Sequence, residues 1–501
     1  MGYLLGIDLG TSSLKSMLIS ENGNTVALSA RAYQFASPRN GFAEHNPEEW
    51  WQACAETVKE VLLKAAVHKD EVKGLSFSGQ MHGAVMLDKN YQVVRPAILH
   101  CDARSSVQVE KLKDILGEER VKSIVMNPIY TGFLLPSLMW VKDNEPENYE
   151  KIAHVMLPKD YLKFRMTGVV STDYSDASAT LAFDIKENCW SDEILKAVDI
   201  PREWFPKCYG TTEATETVCK ETAEVLGLST KTVVVAGGGD QVMQGIGNGI
   251  TRVGQACSNI GTSGQISFQA GEAVLNPALN TNTFCGYKKG RWIMMGAIMN
   301  AGLSYKWYNS LFEKVDMNAM NEKIAKVKPG SGGVIFLPYL NGERCPHLNP
   351  NISGAFIGCN LNTGRTEMAR AVMEGVAYAL NQCAEICGDL GLHATEMIAS
   401  GGATKSMPWL QIQADIFNVP LRVADTEEQA SLGAAIAAGV GAGIYKDVDE
   451  GCAKVVRYKD FIIDPIPENH KVYEEYYQLF KDAYQESKGV IEKVTMLGRR
   501  D

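Results

Sequence analysis

Two stretches of the sequence place a glycine beside hydroxyl residues in a way that suits phosphate binding. The first is the turn Gly10-Thr11-Ser12-Ser13, and the carboxylate of Asp8 precedes it. Hydroxyl and backbone N–H groups bind phosphate oxygens, and a carboxylate oxygen is a ligand that Mg²⁺ prefers. Taken alone, this turn is explained equally well by an ordinary tight hairpin, because such turns are common.

The second stretch, Gly261-Thr262-Ser263-Gly264, repeats this pattern between two further apolar segments. Gly261 follows Gly10 by 261 − 10 = 251 positions, which is half of the 501-residue chain. One such hairpin in each half predicts an internal duplication. Two hairpins that face each other would hold a polyphosphate between two lobes.

A carboxylate that follows three glycines is the candidate for acid–base chemistry. Residues 231–236 are apolar and largely β-branched, so they predict a buried strand, and residues 242–246 predict a helix. Between them lies Gly237-Gly238-Gly239-Asp240. Glycines remove side chains around the Asp240 carboxylate and let a substrate approach it closely. The alternative is that Asp240 only caps the helix.

Two more polar clusters follow predicted strands, where α/β sheets bind their ligands. Gln80-Met81-His82 comes directly after the strand predicted at 71–78. A plain turn whose histidine bonds a backbone carbonyl would explain it as well. Asp102 and Arg104 follow another apolar run. This pair can grip sugar hydroxyls, or it can equally be a surface salt bridge.

A paired glycine in the second half predicts a place for a flat base and ribose. The run from Ile398 to Ser406 indicates a strand, the turn Gly401-Gly402-Ala403, and the start of a helix. Glycines allow such a ligand to lie against the backbone. A lone glycine pair is weak evidence, because it is usually just a loop.

The elements that must position these residues alternate between strands and helices. Asn46-Pro47-Glu48-Glu49 predicts a helix start, with Asn46 as the N-cap, and the helix is expected to reach about Val67. Strands are predicted at 4–9, 14–19 and 25–32. Helices are predicted at 301–312, 365–386, 433–439 and from 467 onward. The order of strands and helices indicates an α/β protein.

Composition limits the class of function. The net charge of −10 argues against nucleic acid as the main partner. No apolar run is long enough to cross a membrane, and Asp8 interrupts the first apolar stretch, so neither a membrane span nor a signal peptide is predicted. The 12 cysteines include no C-x-x-C pair. They indicate buried thiols in a reducing, cytoplasmic compartment and not a zinc site.

Taken together, six motifs resemble those of the FGGY family of carbohydrate kinases and, within it, the xylulokinases. They are Asp8-Leu9-Gly10-Thr11-Ser12, Gly79-Gln80-Met81-His82-Gly83, Gly237-Gly238-Gly239-Asp240, Gly261-Thr262-Ser263-Gly264, Asn341-Gly342-Glu343-Arg344 and Ser400-Gly401-Gly402-Ala403. The resemblance covers nearly the whole chain. It implies an α/β fold of two actin-like (ribonuclease H-like) domains, roughly 1–248 for the sugar and 249–501 for ATP, with a deep cleft between them.

The same resemblance implies the chemistry and the residues that carry it. The expected reaction is transfer of the ATP γ-phosphoryl group to a ketopentose, with D-xylulose giving D-xylulose 5-phosphate. Asp240 is the expected catalytic base and Asp8 the expected Mg²⁺ ligand. The sugar is assigned to Gln80, Met81, His82, Asp102 and Asp240. ATP is assigned to Thr11, Ser12, Lys15, Gly261, Thr262, Ser263, Gly401, Gly402, Ala403 and Ser406. Relatives are often dimers, so a homodimer is an expected assembly.

The sequence also departs from the family pattern in the half expected to bind the sugar. His100 and Cys101 precede Asp102 where xylulokinases usually have Trp-Asn, and Ser137 stands where a lysine is usual. If His100 and Cys101 line the pocket, it is expected to be roomier and less selective than a typical xylulokinase pocket, with D-xylulose still accepted. Two alternatives remain: an FGGY kinase for another pentulose or polyol, such as ribulose, and a non-enzymatic ATP-binding protein of the actin or Hsp70 kind, against which Asp240 and His82 argue.

Overall fold

The computed structural model describes residues 2–313 and 316–499, and it contains two mixed β-sheets. The strands, in chain order, are β1 (Tyr3–Leu9), β2 (Ser13–Ser20), β3 (Thr25–Ala32), β4 (Glu44–His45), β5 (Val72–Gly79), β6 (Val85–Leu87), β7 (Ala97–Ile98), β8 (His154–Met156), β9 (Ser171–Asp173), β10 (Phe183–Asp184), β11 (Cys189–Trp190), β12 (Lys207–Tyr209), β13 (Ala214–Thr217), β14 (Val233–Val235), β15 (Gly238–Gly239), β16 (Gln255–Ile260), β17 (Gly264–Ala270), β18 (Asn282–Cys285), β19 (Trp292–Ile298), β20 (Ile335–Leu337), β21 (Ala355–Ile357), β22 (Glu396–Ser400) and β23 (Leu421–Val423).

The two large sheets share one plan of strand pairing. In the first, β1 pairs antiparallel with β2 and parallel with β5, in the order β13-β14-β5-β1-β2-β3. In the second, β16 pairs antiparallel with β17 and parallel with β22, in the order β18-β19-β17-β16-β22-β23. Both predicted hairpins are therefore confirmed, and they occupy the same place in the two sheets.

Helices cover the sheets. They are α1 (Pro47–Ala65), α2 (Ser106–Arg120), α3 (Leu134–Asn144), α4 (Pro146–Tyr149), α5 (Pro158–Thr167), α6 (Tyr174–Ser178), α7 (Asp192–Ala197), α8 (Lys220–Leu226), α9 (Asp240–Gly247), α10 (Gly302–Ser310), α11 (Met317–Ile324), α12 (Arg365–Asp389), α13 (Met407–Phe417), α14 (Gln429–Gly441), α15 (Val448–Val455) and α16 (Pro467–Gly498). Asn46 caps α1 as predicted, because its side chain accepts the Glu48 N–H at 3.1 Å.

The small-residue helix α14 packs against the first sheet, although it lies late in the chain. Added Cβ atoms on Gly433 and Gly439 would stand 1.9 Å from the Met243 carbonyl oxygen and 2.3 Å from the Tyr445 ring. Where α14 meets the sheet, a Cβ on Gly6 of β1 would stand 1.9 Å from the carbonyl oxygen of Ser431 in α14. The small side chains therefore allow α14 to pack closely against both β1 and α9.

Three further observations concern the chain as a whole. The structure has the α/β layers that the sequence predicts, with buried apolar side chains on both sheets. None of the described helices is long and apolar enough to cross a membrane. All 12 cysteines are free thiols.

Candidate active site

A polar cavity of about 300 Å³ collects most of the candidate residues. We call it the polar cavity. The first half of the chain contributes Gln80, Met81, His82, His100, Tyr130 and Asp240 to its wall. The second half contributes Ser263, Gln265, Asn282, Phe284, Met295 and Arg344. The cavity therefore lies between the two halves of the chain.

Asp240 is the first residue of α9, and it faces this cavity. Gly239 is the N-cap of α9, so the alternative that Asp240 only caps the helix is wrong. Burial and the nearby negative charge of Asp8 raise the pKa of Asp240 to about 7. A carboxyl group with that pKa exchanges a proton near neutral pH, as a general base must.

The three glycines before Asp240 pack against the chain itself, which corrects the reason inferred from the sequence. Gly237 has a φ of +76°, and a Cβ there would stand 2.4 Å from the Phe77 carbonyl oxygen. A Cβ on Gly239 would stand 2.8 Å from Met81. Side chains at these positions would clash, because β5 and the segment after it approach the turn closely. This close packing of the glycines sets the position of Asp240.

Gln80 and His82 each leave one polar atom for a ligand. The Nδ1 atom of His82 lies 2.8 Å from the Ala179 carbonyl oxygen, which can only accept, so Nδ1 carries the proton. Burial lowers the pKa of His82 to about 3, so the ring is neutral and Nε2 is an acceptor. The buried Nε2 atom of Gln80 donates to no described residue. The pair thus offers one acceptor and one donor.

Asp102 does not reach the polar cavity. It is 1% exposed and forms an ion pair with the Nη2 atom of Arg104 at 2.7 Å. It also accepts the backbone N–H groups of Ala43 at 2.6 Å and Arg104 at 2.9 Å. The ion pair of Asp102 and Arg104 therefore exists, but it is buried and not at the surface. It holds in place the loop that carries His100.

Of the two residues that replace the family's Trp-Asn, only His100 lines the polar cavity. Its Nδ1 atom is buried without a hydrogen-bond partner among the described residues. Burial and the charge of Arg344 lower the pKa of His100 to about 4. Cys101 is exposed and lies outside the wall. Ser137 is not in the wall either: it is buried within α3 and donates to the backbone carbonyl oxygen of Phe133, which does line the cavity.

Sequence reasoning missed the wall that the second sheet supplies. Asn282 and Phe284 on β18, and Met295 and Ala297 on β19, face the cavity at alternate positions. This period of two is typical of one face of a strand and is the signal that could have identified them. Arg344, from the Asn341-Gly342-Glu343-Arg344 motif, adds the cavity's guanidinium group.

The first hairpin places a charged pair beside the cavity. Asp8 on β1 is opposite Lys15 on β2, and the Lys15 ammonium also lies 2.7 Å from the Glu428 carboxylate. Burial raises the pKa of Asp8, while the Ser78 hydroxyl and Lys15 oppose the rise. The Thr11 hydroxyl lies 3.5 Å from the side-chain oxygen Oε1 of Gln80, and Ser12 is exposed at the tip of the hairpin.

A second, mainly apolar pocket of about 340 Å³ lies in the other half, and we call it the glycine pocket. Its wall includes Gly261, Gly302, Tyr305, Gly402, Ala403 and Trp409. Gly401, with a φ of +80°, stands behind the wall, where a Cβ would meet the Ile260 carbonyl oxygen at 2.5 Å. Ser406 is buried at the start of α13 and donates to Asn321. A flat, uncharged ring fits such a wall.

The turn of the second hairpin borders both spaces. Gly261 lines the glycine pocket, whereas Ser263 lines the polar cavity, and Thr262 is exposed between them. The turn is fixed from behind, because the Gly261 carbonyl oxygen accepts the Gly302 N–H at 2.8 Å and the Thr262 carbonyl oxygen accepts the Ala301 N–H at 3.1 Å. The turn therefore lies between the glycine pocket and the polar cavity, whose wall includes Asp240.

The donor set near Asp8 fits Mg²⁺ and not a metal held only by protein. In residues 2–313 and 316–499, no three His, Cys, Asp or Glu side chains are grouped to hold an ion. Mg²⁺ usually keeps several waters and takes one or two carboxylates together with substrate phosphates. Asp8, whose charge acts on Asp240, is a carboxylate of this kind.

Comparison with known proteins shows the family of this chain. Models of the N-terminal and C-terminal domains of the FGGY family of carbohydrate kinases match residues 3–247 and 256–442. The chain is 34% identical to the xylulose kinase of Bacillus subtilis over 97% of this chain and 98% of that protein. A crystal structure described as a xyloylose kinase from Brucella ovis is 30% identical, with a TM-score of 0.91 over 97% of this chain and 100% of that one.

A second solved structure has a different substrate in its name. The gluconate kinase of Lactobacillus acidophilus is 25% identical, with a TM-score of 0.92 over 98% of this chain and 99% of that one. The two domain models together cover most of this chain, the N-terminal model in its first half and the C-terminal model in its second. This chain belongs to the FGGY family of carbohydrate kinases.

Proposed function

We propose that the enzyme transfers the γ-phosphoryl group of ATP to a hydroxyl group of a ketopentose, with O5 of D-xylulose as the preferred acceptor. The observation that carries the proposal is the position of Asp240. Its carboxyl group, with a pKa near 7, lies in the wall of the polar cavity, which the second turn connects to the glycine pocket. The xylulose kinases among its relatives support the choice of sugar.

Each wall has a role in this reaction. Asp240 accepts the proton of the attacking hydroxyl group and orients its oxygen. The neutral His82 accepts a hydrogen bond from the sugar through Nε2, and the Gln80 amide donates one. The glycine pocket takes the adenosine, and the turns at Thr11 and Thr262 hold phosphates with N–H and hydroxyl groups. Mg²⁺, when bound at Asp8, would neutralise phosphate charge.

A second class of phosphoryl acceptor is also a candidate. His100 in place of the family's tryptophan, with a free Nδ1 atom, favours an enzyme that also accepts another pentulose or a polyol. The gluconate kinase indicates that this fold serves other acceptors. As an FGGY carbohydrate kinase, the chain is not a filament or chaperone ATPase of the actin or Hsp70 kind.

The test is ATP consumption with a panel of ketoses and polyols, for the wild type and for Asp240→Asn. The variant keeps the size of the side chain but cannot accept a proton, so sugar-dependent turnover should fall by about 10²- to 10⁴-fold while ATP still binds. In the wild type, kcat/KM should rise with pH up to about 7 as Asp240 loses its proton. Near-normal turnover in a folded variant would exclude Asp240 as the base.

A further inference from the structure

Behind the turn that carries Asp240 lies a cluster of five charged side chains that no solvent reaches. Lys159, Lys163, Asp160, Asp173 and Asp176 are all 0% exposed. The Lys159 ammonium binds three carboxylates, at 2.7 Å to Asp160, 2.9 Å to Asp173 and 3.1 Å to Asp176. The Lys163 ammonium lies 3.0 Å from Asp160. Burial on this scale is costly unless the charges are paired, so the cluster needs a structural or functional reason.

The cluster places two ammonium groups against three carboxyl groups. Burial raises the pKa of Asp176 well above its ordinary value, which favours its neutral form and reduces the excess of negative charge. Two other carboxyl groups hold the Lys159 ammonium in place, and this ammonium contacts Asp173. The Asp173 carboxylate is therefore fixed in one position.

Ser175 connects this cluster to the catalytic turn. The carboxylate of Asp173 accepts both the N–H of Ser175, at 2.8 Å, and its hydroxyl proton. Because the single hydroxyl proton points at Asp173, a lone pair of the Ser175 oxygen is left for another donor. That donor is the backbone N–H of Gly239, at 2.9 Å, and Gly239 directly precedes Asp240.

The cluster also holds the other end of the same turn. The Lys163 ammonium donates to the Ala236 carbonyl oxygen at 3.3 Å, just before the three glycines. These two bonds add to the pairing of β15 with β5 and to the bond from the Gly237 N–H to the Thr211 carbonyl oxygen, at 3.1 Å. A polyglycine turn has high conformational freedom, so each bond further restricts the positions that Asp240 can sample.

We propose that Ser175 is a positioning residue: its hydroxyl group, oriented by Asp173 and Lys159, fixes the Gly239 amide and thereby the direction of the Asp240 carboxylate. The inference rests on the proposed role of Asp240 as the base. A base displaced by about 1 Å can lose about 10²-fold in rate, because proton transfer depends steeply on distance. The hydrogen bond from Gly239 therefore acts on kcat and not on the binding of sugar or ATP.

The experiment compares Ser175→Ala with Ser171→Ala. Ser171 is a matched control, because it is 2% exposed, lies on β9 beside the same cluster, and its hydroxyl group has no partner among the described residues. We expect kcat to fall about 10- to 100-fold in Ser175→Ala, with both KM values within about twofold of the wild type. Ser171→Ala should keep its kcat. Equal kcat values in the two variants would overturn the proposal.

Two more variants separate a positioning role from loss of structure. Ser175→Cys keeps the shape and a weak donor and acceptor, so its kcat should lie between those of the wild type and Ser175→Ala. Adding Ser175→Ala to Asp240→Asn should leave the residual rate unchanged, because the base is already absent. A further fall in the double variant would show that Ser175 acts elsewhere. Normal turnover of Asp240→Asn alone would instead reject the proposed base.

Discussion

The two hairpins have the same fold but different chemistry. In the first, the residue two places before the turn glycine is Asp8, and it lies opposite Lys15. In the second, the corresponding residue is Asn259, and it lies opposite Gln265. The first pair is charged. The second pair is neutral, and the Asn259 side-chain amide donates to the side-chain oxygen of Gln265 at 2.9 Å.

In the proposed reaction, this difference separates two tasks of the duplicated hairpin. The charged hairpin lies beside Asp240 and raises its pKa through Asp8, so we infer that it acts where charge moves. The neutral hairpin borders both the glycine pocket and the polar cavity, and its carbonyl groups are fixed to the start of α10. It can hold a phosphate chain in place without adding a negative charge that would repel it.

Exchanging the charge between the hairpins tests this comparison with the largest expected effect. Asp8→Asn gives the first hairpin the residue type that the second has at the corresponding position, and it leaves Lys15 in place. We expect kcat to fall by about 10²- to 10³-fold, since an electrostatic group at the reacting phosphate is lost, and the Mg²⁺ concentration for half-maximal rate to rise. The measurement is steady-state turnover at saturating sugar and ATP over a series of Mg²⁺ concentrations.

The reverse exchange is the control. Asn259→Asp keeps the acceptor for the Ser400 hydroxyl, which lies 3.2 Å from the Asn259 carbonyl oxygen. Because the added charge would repel a phosphate chain at this hairpin, the KM for ATP should rise, whereas kcat at saturating ATP should change by less than about tenfold. If both variants lost activity to the same extent, the division between a charged and a neutral hairpin would be incorrect.

Changing the glycine pocket should have a smaller effect, and on a different parameter. A Cβ on Gly402 meets no chain atom closer than the Ile260 carbonyl oxygen at 4.0 Å, so a larger residue fits the fold but fills the pocket. In Gly402→Val the KM for ATP should rise on the order of tenfold, with the KM for sugar unchanged. Gly402→Ala should give a smaller rise. An unaltered KM for ATP in folded Gly402→Val would place the nucleotide elsewhere.

The parts of this arrangement that the sequence predicts are local. Both hairpins and the start of α1 at Asn46 depend on residues within a few positions, and the structure confirms them. What the sequence does not predict depends on distant contacts. The buried ion pair of Asp102, the packing of α14 on the first sheet and the position of Arg344 all require the folded chain to bring remote segments together.

The smallest effect that we predict comes from a substitution in the wall of the polar cavity. The sequence treats His100 and Cys101 as one departure from the family pattern, but the structure separates them, because only His100 is in the wall. His100→Trp would fill part of a cavity of about 300 Å³ and remove the free Nδ1 atom. The ratio of kcat/KM for D-xylulose to that for D-ribulose should then rise several-fold, as expected for one hydrogen-bond partner worth about 1 kcal/mol.

Cys101→Asn is the matched control for that change, since it restores the neighbouring family residue at an exposed position outside the cavity. Its selectivity ratio should equal that of the wild type. If Cys101→Asn raised the ratio and His100→Trp did not, the sugar would lie against the exposed side of this loop, where Cys101 is, and not in the polar cavity. If neither variant changed it, the acceptor would not contact the loop, and selectivity would depend on the wall that Asn282, Phe284 and Arg344 provide.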